Sequence, residues 1–310
     1  MLVNDSPNDA RIPASVHAAL VAVQLMFASL SVVGKLALVE LSPFALICAR
    51  VSAATLIMLA AWLINGREKV DPRDFPELAA YAFFGVTANM LIFILGLQRT
   101  TATNAVVIGA TIPVFTVGVA VVLKREAATV GKLVGLGVAC LGAMIIVGAG
   151  RFQTSGGRLV GNLLVVLNSL SFSIYLVISR RLLAKYRPLT VVTWTFVFGT
   201  LGVLPFGAWP LIHAAPSLSP KIWGYVAYIV ISPTVGTYFL NMYALRRAPA
   251  SLVAIYIYVQ PIVGALMAAI RLDERPSADT YVGGAFIGAG IWLVSREARR
   301  LRRVQQQARA

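Results

Sequence analysis

"IPVFTVGVAVVLKRE" (Ile112–Glu126) and "QPIVGALMAAIRLDE" (Gln260–Glu274) are two versions of one phrase. Each places proline second, runs on through apolar residues and closes on glutamate. Pro261 and Glu274 follow Pro113 and Glu126 at the same offset of 148. Proline within an apolar helix removes a backbone donor and frees a carbonyl on the preceding turn. A chain that makes this sacrifice twice, at matched places, has a use for it.

The solvent of these runs follows from composition. Of 310 residues, 58% are hydrophobic and 13% charged, and the mean hydropathy is +0.80. A soluble domain keeps roughly a quarter of its residues charged. The apolar residues fall in stretches of about 20, the length a helix needs to cross a bilayer core. They do not alternate as lipid-facing barrel strands do. The spans expected are 14–38, 43–64, 76–97, 103–123, 128–148, 159–182, 188–212, 220–246, 248–270 and 278–295. The fold class is therefore an all-α polytopic membrane protein with ten transmembrane helices.

The formal net charge of +15 does not call for nucleic acid. With the N-terminus inside, 19 of the 27 Lys and Arg fall in cytoplasmic segments and 7 outside, with Arg50 inside a span. This positive-inside bias puts both termini in the cytoplasm. Residues 296–310 form a basic tail, a solvated anchor or a contact for anionic lipid. The N-terminus lacks a basic n-region, so no cleaved leader is expected. Cys48 and Cys140 both sit in apolar spans, which argues against a disulfide framework or a metal cluster. No cofactor is expected.

Residues 95–146 slide onto 243–294 without a gap, matching Pro113 with Pro261, Glu126 with Glu274, Gly135 with Gly283 and Gly142 with Gly290. Earlier parts match at an offset of 145, Lys35 with Arg180 and Pro43 with Pro188. The chain reads as a duplicated five-helix unit, 14–148 and 159–295. Five is odd, so the second unit enters from the opposite side and the repeats are inverted. Inverted repeats recur in carriers, with the substrate held near the midplane between them. Pro113 and Pro261 are the expected hinges.

The stretches "LGLQRTTATNAVVIGATIPVFTVGVAVVLKREAATVGKLVGLGVACLGAMIIV" (95–147) and "YALRRAPASLVAIYIYVQPIVGALMAAIRLDERPSADTYVGGAFIGAGIWLV" (243–294) resemble the EamA domain of the drug/metabolite transporter superfamily. The resemblance covers residues 14–295 as two tandem domains. It implies a ten-helix carrier, and members commonly export amino acids or other small metabolites. Sugar-phosphate and nucleotide-sugar carriers share the wider superfamily.

Polar and aromatic residues at span depth are the candidates for substrate binding, because they are costly there unless used. They are Gln24, Asn89, Phe93, Asn168, Tyr175, Tyr238, Asn241, Tyr256, Tyr258 and Gln260. Asn104 is a further amide at this depth. Together they describe a neutral pocket with aromatic walls, suited to a zwitterionic or amphipathic solute. Arg50 either pairs with Glu40 or Glu126, caps carbonyls or binds a substrate carboxylate. Glu126 and Glu274 are expected to pin helix ends. The 12 acids all fall in loops or at helix ends, which predicts facilitative or exchange transport without a proton-carrying carboxylate. His17 and His213 read as bystanders. Gly131-x-x-x-Gly135 and Gly284-x-x-x-Gly288 permit close helix approach, within the chain or in a homodimer. H-E-x-x-H and G-x-S-x-G are both absent, and no carboxylate pair stands at membrane depth, which excludes the usual intramembrane enzymes. The short loops leave little surface for a receptor. The expected protein is a monomeric or homodimeric exporter of amino acids or related metabolites. Its alanine-rich, arginine-over-lysine usage points to a GC-rich bacterium, and the expected location is the bacterial inner membrane.

Overall fold

A computed structural model describes residues 12–100, 108–109, 111–147, 158–260, 262–263 and 278–307. All regular structure among them is helical. The elements are α1 (Ala14–Ala37), α2 (Pro43–Ile64), α3 (Pro72–Arg99), α4 (Ile112–Val122), α5 (Val130–Val147), α6 (Leu159–Lys185), α7 (Pro188–Ser217), α8 (220–247), α9 (Ala250–Ile255) and α10 (Ala278–Gln307). Four of these, α2, α3, α6 and α7, are long and apolar enough to cross a membrane, and α1, α4 and α5 contain shorter apolar stretches.

Local chemistry sets the helix starts. Pro43, Pro188 and Pro220 occupy first-turn positions, where a missing N–H costs nothing. Ser42 and Ser219 cap two of these helices by accepting from Ala45 N and Ile222 N. At the far end of α2, Gly66 takes a left-handed φ of 98° to turn the chain. The tail at 296–307 is no loose appendage, because it continues α10 as helix.

Packing partners come in matched sets. α3 rests on α6 and α7, and α8 rests on α1 and α2. The pairs α2–α7, α4–α9 and α5–α10 cross directly. In the α2–α7 crossing, Thr55 Oγ1 and Thr200 Oγ1 meet at 2.7 Å across a separation of 145 residues, the same offset that aligns Pro43 with Pro188. Thr55 also donates to Val51 O and Phe196 O, both at 2.9 Å. In the α5–α10 crossing, a Cβ on Gly142 would stand 2.5 Å from Gly283 O, and one on Gly135 would stand 3.0 Å from Gly290 O. These helices run antiparallel, and each glycine meets the offset-148 counterpart of the other. The close approach therefore uses Gly283 and Gly290. Gly288 faces open space, and Gly284 has only Ile262 within 4 Å.

Two helices change pitch midway. α3 contains a π turn at Phe83–Thr87 and α8 another at Ile231–Gly236, and their starts differ by 148 residues. α4 and α9 match in the same way. The described chain turns at Thr111 just before Pro113, and α9 tightens to a 3₁₀ turn at Tyr256–Tyr258 shortly before residue 261. Pro261 and Glu274 themselves, like Asn104, lie outside the described residues, as does the Lys35 side chain.

The glycine crossing gives a direct test. Gly142→Ala should lower thermal stability in detergent by about 1–3 kcal/mol through overpacking. Gly137→Ala, at a glycine facing open space, should leave it unchanged or raise it by up to about 1 kcal/mol through helix propensity.

Candidate functional site

A helix that changes pitch leaves backbone carbonyls without their regular partners, and apolar surroundings offer no water to replace them. Side chains fill this role around both π turns, some from the same helix and some from other helices. In α3, Phe84 O accepts from Ser171 Oγ of α6 at 2.8 Å, and Gly85 O accepts from the Tyr238 hydroxyl of α8. In α8, Pro233 has no N–H to offer Ile229 O, and Thr234 Oγ1 donates to that carbonyl at 2.6 Å. Pro233 O then accepts from Thr237 Oγ1 at 2.9 Å and from Arg50 Nη2 of α2 at 3.2 Å.

An aromatic cluster surrounds these turns. The Tyr238 ring lies edge-on to Phe196 at 4.8 Å between centroids and 6.0 Å from Tyr175. Phe172 adds a ring 5.9 Å from Tyr175. Gly85 is bare because Tyr175 lies against it: an added Cβ would come within 2.5 Å of the ring. The Tyr175 hydroxyl points to Met242 Sδ at 3.8 Å.

Arg50 is the one partly exposed residue in a buried run from Ala45 to Val51. Its Nε donates to Thr234 Oγ1 at 2.5 Å. Neither Glu40 nor Glu126 reaches it, and no carboxylate pairs with it among the described residues. Glu40 is engaged elsewhere, accepting from Ser219 N and Ser219 Oγ at 3.0 and 2.9 Å. An arginine at this depth costs about 3 kcal/mol on membrane-insertion scales.

The remaining candidates divide. Gln260 Nε2 donates to Gln24 Oε1 at 2.9 Å, joining α1 to the segment after α9. One side of the same seam holds Tyr256, whose hydroxyl meets His17 Nδ1 at 2.5 Å. That contact makes His17 part of the helix interface, a role its position near a span end did not suggest. Tyr258 points the other way, toward Cys140 of α5, without a normal hydrogen bond among the described residues. Asn168 spends one amide proton on Asn89 O at 2.7 Å. The side-chain amides of Asn89 and Asn241 make no hydrogen bond among the described residues, although Asn241 is buried. Phe93 is half-buried on α3. Reading by residue type missed Pro233 as a helix breaker, although "ISPTVG" in an apolar span was the available signal.

One end of the bundle is tied by charge. Glu126 accepts from Lys132 Nζ at 2.8 Å and from Ser251 Oγ at 2.5 Å, with Ser251 N at 3.3 Å. It thereby caps the start of α9, and Arg180 of α6 stands 3.9 Å away. Nearby, Lys185 reaches Asp74 at 2.6 Å and Arg181 reaches Glu77 at 2.9 Å. Burial raises the Glu126 carboxyl, but Lys132, the Ser251 hydroxyl and Arg180 together outweigh it and leave the group below its ordinary 4.5.

The comparisons with known proteins agree with this architecture. The EamA-like transporter family model matches residues 15–148 and 159–296. The chain is a membrane transporter and not an enzyme, and it belongs to the EamA-like transporter family. An uncharacterized transporter of Archaeoglobus fulgidus is 29% identical over 90% of this chain and 96% of its own. An uncharacterized transporter of Bacillus subtilis, YetK, is 25% identical over 89% and 86%. A protein of Streptantibioticus cattleyicolor described as a probable terminal-alkyne amino-acid exporter is 26% identical over 80% and 82%. A solved crystal structure of a chain 20% identical shares the fold, with a TM-score of 0.74 over 93% of this chain and 99% of that one.

The Glu126 cluster predicts a pH signature. A depressed folded-state value means stability that is fully present above about pH 4.5 and lost as pH falls through the folded value. Glu126→Gln leaves Lys132 buried without its counter-ion. The variant should be less stable than the native chain by about 3 kcal/mol at pH 7, with the gap closing in acid. Thermal unfolding of the two purified proteins between pH 3 and 7 measures both.

Proposed function

We propose that the protein is a ten-span carrier built from two inverted five-helix repeats, 14–148 and 159–295. In this reading it exports amino acids or related small amphipathic metabolites across a bacterial inner membrane, with both termini cytoplasmic. The observation that carries it is the matching of the helix interruptions: π turns in α3 and α8, and tightened turns ahead of residues 113 and 261 in α4 and α9. Hinges at equivalent places in two inverted halves give two exchangeable shapes of similar energy, which is what alternating access requires. Pro113 and Pro261 belong to these hinges.

The substrate class rests on the centre of the bundle. Tyr175, Tyr238 and Phe196 supply aromatic faces, and Asn89 and Asn241 carry amides with no hydrogen bond among the described residues. A pocket opened among these groups would hold the apolar and polar ends of a small amphipathic solute. Gln24, Gln260 and Tyr256 edge it, with Phe93, Asn168 and Tyr258 on its flanks. A sugar phosphate would need clustered Arg or Lys, and at this depth the described residues offer Arg50. The relative described as a probable terminal-alkyne amino-acid exporter supports the amino-acid reading. The carboxylates with described side chains stand in loops, near helix starts or, for Glu297, in the part of α10 beyond the expected span, which favours exchange over proton coupling. The transporter works as a monomer or homodimer.

Counterflow in proteoliposomes tests the proposal. Vesicles loaded with one amino acid at a time, with no pH gradient, should accumulate a labelled trace of that compound for a chemically related subset. No accumulation across the panel by folded protein would overturn the amino-acid assignment. Strong stimulation by an imposed proton gradient would overturn the exchange mechanism.

A further inference from the structure

Arg50 carries five N–H donors, and the structure accounts for two: Nε to Thr234 Oγ1 and one Nη2 proton to Pro233 O. The other three make no hydrogen bond among the described residues. The residues immediately around it on α2 are buried, yet Arg50 itself is partly exposed. The guanidinium is anchored against the π turn of α8 by its Nε–Nη2 edge. An intramembrane cation with no carboxylate partner among the described residues, held on one edge and with its remaining N–H groups unengaged, is arranged to receive an anion from outside the chain.

We propose that Arg50 is the clamp for the carboxylate of the transported solute, engaging it through the Nη1 and Nη2 edge. The inference rests on the amino-acid reading above and narrows it to solutes with a free carboxylate. A planar guanidinium matches a planar carboxylate with two parallel hydrogen bonds, which lysine cannot reproduce. Fixing Nε on Thr234 and Nη2 on Pro233 O orients the open edge before the ligand arrives. The rest of the solute then lies along α8, where Tyr238 and Asn241 follow Thr234 by one and two turns.

The same anchoring ties binding to the hinge. Thr234 and Pro233 are the residues of the π turn itself, so a carboxylate drawn onto Arg50 loads the point where α8 changes pitch. Binding at Arg50 therefore bears directly on the shape of the second half.

The test compares acids with their neutral analogues in the full-length protein. In counterflow, free amino acids should compete with the labelled substrate at least about tenfold better than their carboxamides or methyl esters, the value of a charge-assisted bidentate pair. Arg50→Gln keeps an amide donor for Pro233 O and removes the charge, and it should erase that preference to within about twofold. Arg50→Lys should keep part of it. A preference that survives in Arg50→Gln, or its absence in the native chain, overturns the clamp. If no amino acid exchanges at all, the function proposed above fails while the clamp is still decided by thermal shift of the purified protein. In that assay phenylacetate should stabilise the native chain over phenylacetamide and should not do so in Arg50→Gln. Equal effects of the two, no effect of either, or equal protection by sulfate or phosphate would overturn it.

Discussion

Backbone groups that leave the regular helix ladder must be satisfied by the protein itself, and here each half of the chain seals the other. The carbonyls exposed by the π turn of α3 are taken by Ser171 of α6 and Tyr238 of α8. In α8, Thr234 takes Ile229 O, and Pro233 O accepts from Thr237 and from Arg50 of α2. The segments matched separately by the family model are thus incomplete when separated, because the π turn of each accepts a hydrogen bond from a side chain of the other. Glu126 repeats the arrangement at the end of the bundle, where a residue following α4 caps the start of α9.

The contacts between halves are self-complementary where counterparts meet. Thr55 bonds Thr200, and glycines 135 and 142 of α5 lie against glycines 290 and 283 of α10. Such contacts hold the halves together without favouring either one. The polar groups that break the equivalence gather instead around the interrupted helices, where the solute is proposed to sit.

Much of this was legible in the chain. The repeated Pro…Glu phrase and the glycine-rich α5 and α10 announced two related halves, because proline and glycine have backbone roles that survive sequence drift. The family assignment followed from the same residues. The π turns were not legible, since five or six residues of changed pitch leave the apolar period almost untouched and Gly85 looks like any small residue. Nor could residue type distinguish amides that bond helices from those left open. Asn168 and Asn89 read alike, yet one donates to the other's backbone. Arg50 was visible as an expense, but only the packing shows that Glu40 and Glu126 are occupied elsewhere. Gly131 likewise meets Glu297 across the end of the bundle, a contact no spacing rule predicts.

The self-bonding threonine pair has a consequence for how the carrier is poised. Under the proposed exchange of the two halves, Thr55 and Thr200 trade places and the bond returns unchanged, so changing it weakens both end states equally. Arg50 trades with Thr195, Tyr238 with Met90 and Asn241 with Phe93, and none of these exchanges is neutral. Whatever resting preference the molecule has for one face of the membrane must come from such mismatched pairs, each ~1.4 kcal/mol of difference tilting the populations tenfold. A carrier that has drifted from perfect duplication has, by that drift, acquired a direction in which it waits.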